Sequence, residues 1–557
     1  MDSSFLARVL YCFTPKIGMR TNFPLDIFET PQQSPRRHFF YCLSLLENWV
    51  IVVKLVSRTH QKYLIFVTEQ LQKEYGTPAG LTLLQQFYSD LMFWITPVDL
   101  SATVSLMRSS YSPKTKGRKP RDPADMLRSL LIMTKLGMSV DDWVRALRTT
   151  PVYAILSGFA ADDTPGVGTF YDFFRRLWKA STPHKTGRLK RRLKKPRKKG
   201  KKNEKQEPKN PKITEKLVSR ALREGKIRYS PKEHDLLQHL FQTLFVLPSA
   251  AKGLLGDTRA FRVIGDGSPV ETGARSFGKF LCDCRKTGNW KCGCKRQFAD
   301  PDADWGWDSY RERYFYGRTL YMFCAADSPY NLPVYPRLFR ANQHDTVSWV
   351  CGYRELRHWY PQWKLGEAIL DSAHDALPIY TMLEHDDVSA IIDLNPRRSG
   401  KLVSGDIAFG TDGVPTCPIG RKMINWGRDS KRFRNKWRCP AKVGKWACPH
   451  PCSESEYGRT VYTSTKDNPR FFPRIRRDSK EWAERYALRT GVERCIKRQK
   501  VDYKLESSRG RSSRHWNIRV YLIGMCQHAD AWLEEAKKQN PLTSVAEWLK
   551  NATSLAA

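Results

Sequence analysis

Apolar positions along this chain follow two different periods, and the change from one to the other divides it. Up to about residue 260 the spacing is helical. Residues 1–110 carry apolar patches such as LTLLQQFYSDLMFWI and read as a helical region with no assignable role. Residues 111–184 show the pattern more clearly. In DPADMLRSLLIMTKLGMS, Met126, Leu130 and Met133 share one helix face, and Asp122 before Pro123 supplies a cap and first turn. SVDDWVRALRTTPVYAILSG and TPGVGTFYDFFRRLW predict further helices. Short Arg-rich helices separated by turns fit a DNA-binding bundle, and equally a packed helical domain with a solvated basic face. Residues 214–260 continue as a helical connection.

After Arg259 the pattern becomes that of strands alternating with helices. AFRVIGDGSPV, RTLYMFCAAD and LPVYPRLFRA predict three strands, and TVSWVCGYRELRHWY a helix. KLGEAILDSA is a fourth strand, ALPIYTMLE a helix and VSAIIDLN a fifth strand. A Cys- and Trp-containing insertion occupies 396–473. The helix DSKEWAERYALRTGVERCIKRQK follows within 474–503, and 504–557 is helical again through RHWNIRVYLIGMCQHADAWLEEAKK. The order β-β-β-α-β-α-β, insertion, α predicts an α/β fold with a mixed sheet and flanking helices, its first part at 261–395. No internal repeat is visible.

Composition changes the picture in one respect. The 557 residues include 95 Lys and Arg against 56 Asp and Glu, a formal net charge of +39. Such a surplus repels itself unless a polyanion neutralises it, and nucleic acid is the obvious one. An anionic membrane surface is the rival, but no stretch supports insertion. The most apolar one, Phe39 to Val53, contains Glu47 and Asn48 and is too short to span a bilayer. MDSSFLARVL lacks the features of a signal peptide, so a cytoplasmic, nucleoid-associated protein is expected. Residues 185–213, strongly basic and nearly devoid of apolar side chains, read as a flexible linker able to bind DNA phosphates without reading sequence.

Candidate chemistry comes from acids placed by that order of elements. Asp266 ends the first predicted strand and Asp371 the fourth, and Glu493 lies on the helix after the insertion. Carboxylates at adjacent strand ends, with one more from a packed helix, can converge over one sheet edge. Three such groups suit two Mg²⁺ ions, which take hard oxygen ligands and keep open water positions. Asp375 and Asp393 lie close enough to compete with Asp371. Asp283, Asp300, Asp302, Asp304 and Asp308 add further acids between the first two strands, most of which read as surface or loop charges. Tyr486, Arg489, Glu493 and Lys500 stand at i, i+3, i+7 and i+14. At about 100° per residue they fall within roughly 60° of one another. Three charged members make a poor core seam, so the stripe fits an active-site face: Glu493 for metal, the others for phosphate oxygens. Arg262, Arg397 and Arg398, near strand ends, are expected along the DNA path.

YALRTGVERCIKRQK fits Y-(2)-R-(3)-E-(6)-K without a mismatch and resembles the signature of a large group of DDE transposases from bacterial insertion sequences. The resemblance extends over roughly 115–540. It implies a ribonuclease-H-like core with Asp266, Asp371 and Glu493 as metal-binding catalytic residues. It gives Tyr486, Arg489 and Lys500 the phosphate-contacting role. It implies Mg²⁺, with Mn²⁺ as a substitute, and double-stranded DNA as partner, at both terminal inverted repeats and target. It also implies homodimeric synapsis, hydrolytic nicking and strand transfer. The insertion is often β-rich in this group, and some relatives pass through a hairpin intermediate aided by an aromatic residue there. Trp426, Trp437 and Trp446 are candidates, each first to be read as a packing residue.

Fourteen cysteines in a chain of this kind call for another explanation than secreted disulfides. Cys12, Cys42, Cys324, Cys351, Cys495 and Cys526 are scattered and read mostly as buried thiols. Cys282, Cys284, Cys292 and Cys294 form CxC-x7-CxC, a candidate structural zinc site. Cys417, Cys439, Cys448 and Cys452 form a second candidate, with His450 as alternate ligand. Neither looks catalytic, since each would fill all its coordination positions. Three readings compete with transposition: a related nuclease or resolvase, a DNA-binding repressor without catalysis, and a basic zinc protein that binds RNA. The last leaves the acid spacing unexplained.

Overall fold

The computed structural model describes residues 55, 57–111, 119–178, 189–190, 213–223, 229–395, 403–410, 412–432, 434–507, 510–539 and 544–554. The first part of the N-terminal region, most of the linker 185–213, Cys12, Cys42, Arg397 and Arg398 lie outside them.

The sheet is built around the most apolar strand. β1 spans Phe261–Glu271, and β2 spans Arg313–Ala325, whose last eleven residues are all buried. A run without alternation belongs inside a sheet covered on both faces. β3 is Pro333–Arg340, β4 Leu365–Leu370 and β5 Ser389–Ile392, with helix α3, Leu377–His385, between the last two. β2 is antiparallel to β1 and β3, while β1, β4 and β5 run parallel, giving the order β3-β2-β1-β4-β5. A short strand, Asp304–Asp308, pairs with the first half of β2. The mixed sheet with flanking helices is therefore the architecture expected from the order of elements.

One boundary differs from expectation and matters. β1 does not end at Asp266, because β2 is long enough to pair with it as far as Glu271 opposite Gly317. On its other side, β1 pairs with β4 only from Phe261 to Ile264. Asp266 is thus internal to one strand pair and just past the end of the other.

The helices share one core with this sheet, and the described residues from 55 to 554 pack as one compact unit. α1, Pro123–Lys135, is buried on every side from Pro123 to Thr134, where one apolar face was expected. It packs on α6, Ser513–Gln539, the long tail helix. Even Arg128 is buried, bonded to Asp125 at 2.8 Å with its guanidinium over the Tyr63 ring. Asp530 on α6 ties distant segments together. It accepts from Trp94 at 2.9 Å, Lys135 at 2.6 Å, Arg498 at 2.9 Å and Tyr503 at 2.6 Å. Among the described residues no helix is long and apolar enough to cross a membrane.

The helix expected over 478–500 is two helices, α4 (Lys480–Ala487) and α5 (Thr490–Lys497), followed by a wider turn from Arg498 to Asp502. At the joint the backbone bonds tighten to i→i+3, as from Gly491 to Leu488 and Val492 to Arg489. Gly491 explains the position. A Cβ there would stand 2.9 Å from Ile264 Cδ1 and 3.0 Å from Asn331 Oδ1, so glycine lets α5 lie this close to β1 without either side chain giving way. The insertion folds into small sheets, including Ile424–Asp429, Arg434–Arg438 and Thr460–Ser464. It is β-rich, as the resemblance implied.

Candidate active site

Register brings two of the acids together. Ile264 of β1 lies opposite Ile369 of the parallel β4. Side chains two residues apart on a strand share a face. Two residues on from that pair come Asp266 and Asp371, side by side at the carboxyl end of β4. Both glycines of IGDGS serve this arrangement. A Cβ on Gly265 would be 3.0 Å from the Tyr321 ring and hydroxyl and 3.1 Å from Trp349. One on Gly267 would be 2.2 Å from Asp345 Oδ1. Asp345 opens α2, Asp345–Trp359, and its carboxylate occupies the space beside β1 that a side chain at 267 would fill.

The sequence reading missed Asp345, and it missed His374. His374 Nδ1 donates to Asp371 Oδ1 at 2.5 Å, and its Nε2 meets the Tyr321 hydroxyl at 2.7 Å. The electrostatics follow. Burial, reinforced by Asp371 and Asp345, pushes the Asp266 carboxyl up to about 7 against the pull of His374 and the Gly267 N–H. Burial also raises Asp345, with Asp371 adding to it. Asp371 goes the other way: burial would raise it, but the His374 bond and charge hold it below the usual carboxylate range. Burial would lower His374, yet Asp371 outweighs it and favours the imidazolium. Three carboxylates with one imidazolium is a donor set short of positive charge. Two signals were present in the sequence: the glycines on both sides of Asp266, and a histidine three residues after Asp371.

Glu493 is placed less tightly. It is on α5 and half exposed, and Arg489 donates to it at 2.6 Å. Arg489 also lies within electrostatic reach of both Asp266 and Asp371. The three sequence-selected acids are therefore linked through a guanidinium rather than gathered around one point. Tyr486 is stacked on Trp482, with ring centroids 4.6 Å apart. Lys500 bonds to the Pro269 carbonyl and lies 3.7 Å from Glu506, and burial lowers its pKa. Arg262 is paired with Asp327.

Several acids read as competitors or surface charges are structural. Asp375 is fully buried and takes both arms of Arg470 at 2.7 and 2.6 Å. Asp300 is not a surface charge, because Arg318 binds both its oxygens at 2.7 Å inside the fold. Asp308 is also buried, accepting from the Tyr310 and Arg311 backbone. In the insertion, Trp437 is buried and donates to Thr463 at 2.8 Å, a packing role. Trp446 lies under the Arg421 guanidinium, and Trp426 is half exposed.

The cysteine sets fare differently. Cys282, Cys284, Cys292 and Cys294 bring four sulfurs within 4.8 Å of one another. The second set is not assembled: among the described residues no other three His, Cys, Asp or Glu donors cluster in that way. Cys417 is instead buried in a small apolar cluster with Ile407, Val414, Met423 and Trp437. Cys452 is exposed beside Arg459.

Residues 94–176 match the family model described as "Transposase domain (DUF772)". The matched stretch is helical and contains none of Asp266, Asp345, Asp371 and Glu493. No curated protein matches. Among solved structures, the piggyBac transposase synaptic complex with hairpin DNA is similar at 12% identity and a TM-score of 0.34, covering 85% of this chain and 81% of that one.

Proposed function

We propose that the chain is a DNA transposase of the DDE type that nicks the terminal inverted repeats of an insertion sequence and joins the freed ends to target DNA. The observation that carries this reading is the placement of Asp266 and Asp371 side by side past the end of β4, with α5, which carries Glu493, packed against β1. The order β3-β2-β1-β4-β5, with one strand pair parallel on each side of β4, supports a ribonuclease-H-like core. The match over 94–176 supports it independently, since it lies outside these strands.

The donor chemistry of these carboxylates suits a divalent cation. Burial first, and then the crowding by two more carboxylates, pushes the Asp266 carboxyl up to about 7, and a hard cation would relieve both. Asp266, Asp371 and Glu493 would hold Mg²⁺, or Mn²⁺ in its place, with Asp345 alongside. Bound there, the metal would acidify the attacking water or 3′-hydroxyl and offset charge on the leaving oxygen. The protein's own groups do the rest. His374 fixes the orientation and charge of Asp371, and Tyr321 fixes His374. Arg489 pairs with Glu493. A DNA phosphate competes for that forked donor, and its arrival frees the Glu493 carboxylate to join the other acids. Synapsis of two ends by a homodimer, and action on nucleoid DNA in the cytoplasm, belong to the same reading.

The test uses a short duplex carrying the DNA end that flanks the gene, with Mg²⁺, comparing wild type with Asp371→Asn. Nicking and joining by the wild type, with binding but no cutting by the variant, is the expected result. Binding by both and cutting by neither, in Mg²⁺ or Mn²⁺, would sink the reading in favour of a repressor. Nicking without joining would move it to a nuclease.

A further inference from the structure

The loop between β1 and the strand Asp304–Asp308 takes no part in the site above, yet it is built for something. Cys282 and Cys292 sulfurs are 3.6 Å apart, and so are those of Cys284 and Cys294. A disulfide needs about 2.05 Å. Tetrahedral zinc with Zn–S of about 2.3 Å spaces its sulfurs about 3.8 Å apart. Turn hydrogen bonds such as Asn289 N–H to the Cys284 carbonyl at 2.8 Å shape the loop locally, but it has no apolar core of its own. Every residue from Arg285 to Lys291 is exposed, Trp290 to 65%, and nothing from Leu281 to Lys295 is buried. A polar loop of this kind gains its order from a bound metal, each thiol losing its proton to solvent on ligation.

The surface of the loop is of one sign. Arg275, Lys279, Arg285, Lys286, Lys291 and Lys295 are exposed, against the single exposed acid Asp283, which Lys286 neutralises at 2.8 Å. The base of the loop is a small sheet in which Arg296–Gln297 pairs with Lys279–Phe280 on one side and with Leu189–Lys190 on the other. Leu189–Lys190 belong to the basic sequence GRLKRRLKK, so the loop and the most basic run of the chain are joined by backbone pairing.

We propose that residues 275–297 form a zinc-ordered finger that grips the phosphate backbone of duplex DNA without reading its sequence. The proposal rests on the reading that this chain works on DNA. Its four thiolates would leave a Cys₄ zinc site two units negative, a charge the surrounding cations compensate while still presenting a positive face. Phosphate contacts of this kind position a protein on DNA, and their number sets the salt dependence of binding.

The experiment measures zinc content of the full chain and its affinity for a short duplex against salt, without Mg²⁺. The proteins are wild type, Lys279→Gln/Lys291→Gln/Lys295→Gln, and Cys282→Ser/Cys292→Ser. One zinc per chain is expected in the first two and none in the third. With three contacts removed, the slope of log K against log salt should become shallower by about 2 to 3 in the triple variant. The serine variant should also become shallower and lose at least about tenfold in affinity at moderate salt. Wild type without zinc overturns the proposal, as does zinc present with an unchanged slope, or tighter binding to duplex RNA than to DNA. These readouts need no cleavage. A wild type that never cuts would therefore remove the transposase reading and leave the finger standing.

Discussion

A buried carboxylate beside two others survives in a fold only if something shares its charge, and Asp266 has little that does. His374 belongs chiefly to Asp371, bonded at 2.5 Å and gripped from behind by Tyr321. On the proposed reading His374 is a positioning residue, acting through Asp371. His374→Asn is expected to leave end binding intact and to slow cutting by about 10- to 100-fold, the usual cost of removing a ligand's own hydrogen-bond partner. The check is single-turnover cleavage across Mg²⁺ concentration, where the variant should need more metal to reach its maximum. Asp266 and Asp371 could be picked from the sequence because each follows a run of apolar strand residues. Asp345 could not, since what brings it in is the missing side chain of Gly267, far away in sequence. Asp300 was misplaced for the same reason. Asp300 lies in a bend and its partner Arg318 on β2, and no local pattern announces a buried pair.

At the scale of elements, the joint between α4 and α5 decides where Glu493 can reach. The sequence showed one helix with a polar stripe. The structure tightens it at Gly491, because packing against Ile264 outweighs the regular turn. That contact is long-range and invisible to periodicity, and so is the burial of Lys500 against Pro269. Gly491→Val should push α5 off β1, costing about 1–3 kcal/mol by thermal or urea unfolding. It should also reduce cutting more than DNA binding, since it moves Glu493 without touching it. The strands were legible because their apolar runs are long. The end of β1 was not, because its last residues are held by pairing with β2 rather than by apolar character.

For the whole molecule, the helical region matched to transposases and the acid-bearing sheet are one folded body. Asp530 joins them, accepting from Trp94, Lys135, Arg498 and Tyr503. Asp530→Ala strands those donors, and a loss of about 3–5 kcal/mol is expected in chemical denaturation. Such shared packing could not be seen from segment-by-segment periodicity. His528 on the same helix carries a pH signature. Burial holds it down to about 4, against an ordinary value of 6.5, while it bonds Ser249 and the Pro333 carbonyl at 2.7 and 2.8 Å. A base depressed in the folded state binds fewer protons there than when unfolded. Its contribution is whole above the unfolded value and is lost as pH falls from about 6.5 toward 4, on the order of 3 kcal/mol. His528→Gln should flatten that part of the stability profile measured by thermal melting.

The central claim is that Asp266, Asp371 and Glu493 together hold the cation that cuts DNA. Iron-directed backbone cleavage tests it most directly. Fe²⁺ replaces Mg²⁺ in the protein bound to its DNA end, peroxide generates radicals at the metal, and mass spectrometry reads the cut positions. Cuts clustered near residues 266, 371 and 493, with 345 among them, persisting in Cys282→Ser/Cys292→Ser and lost in Asp266→Asn, are the predicted result. Cuts confined to other parts of the chain, or a pattern at these positions that ignores Asp266→Asn, would contradict it.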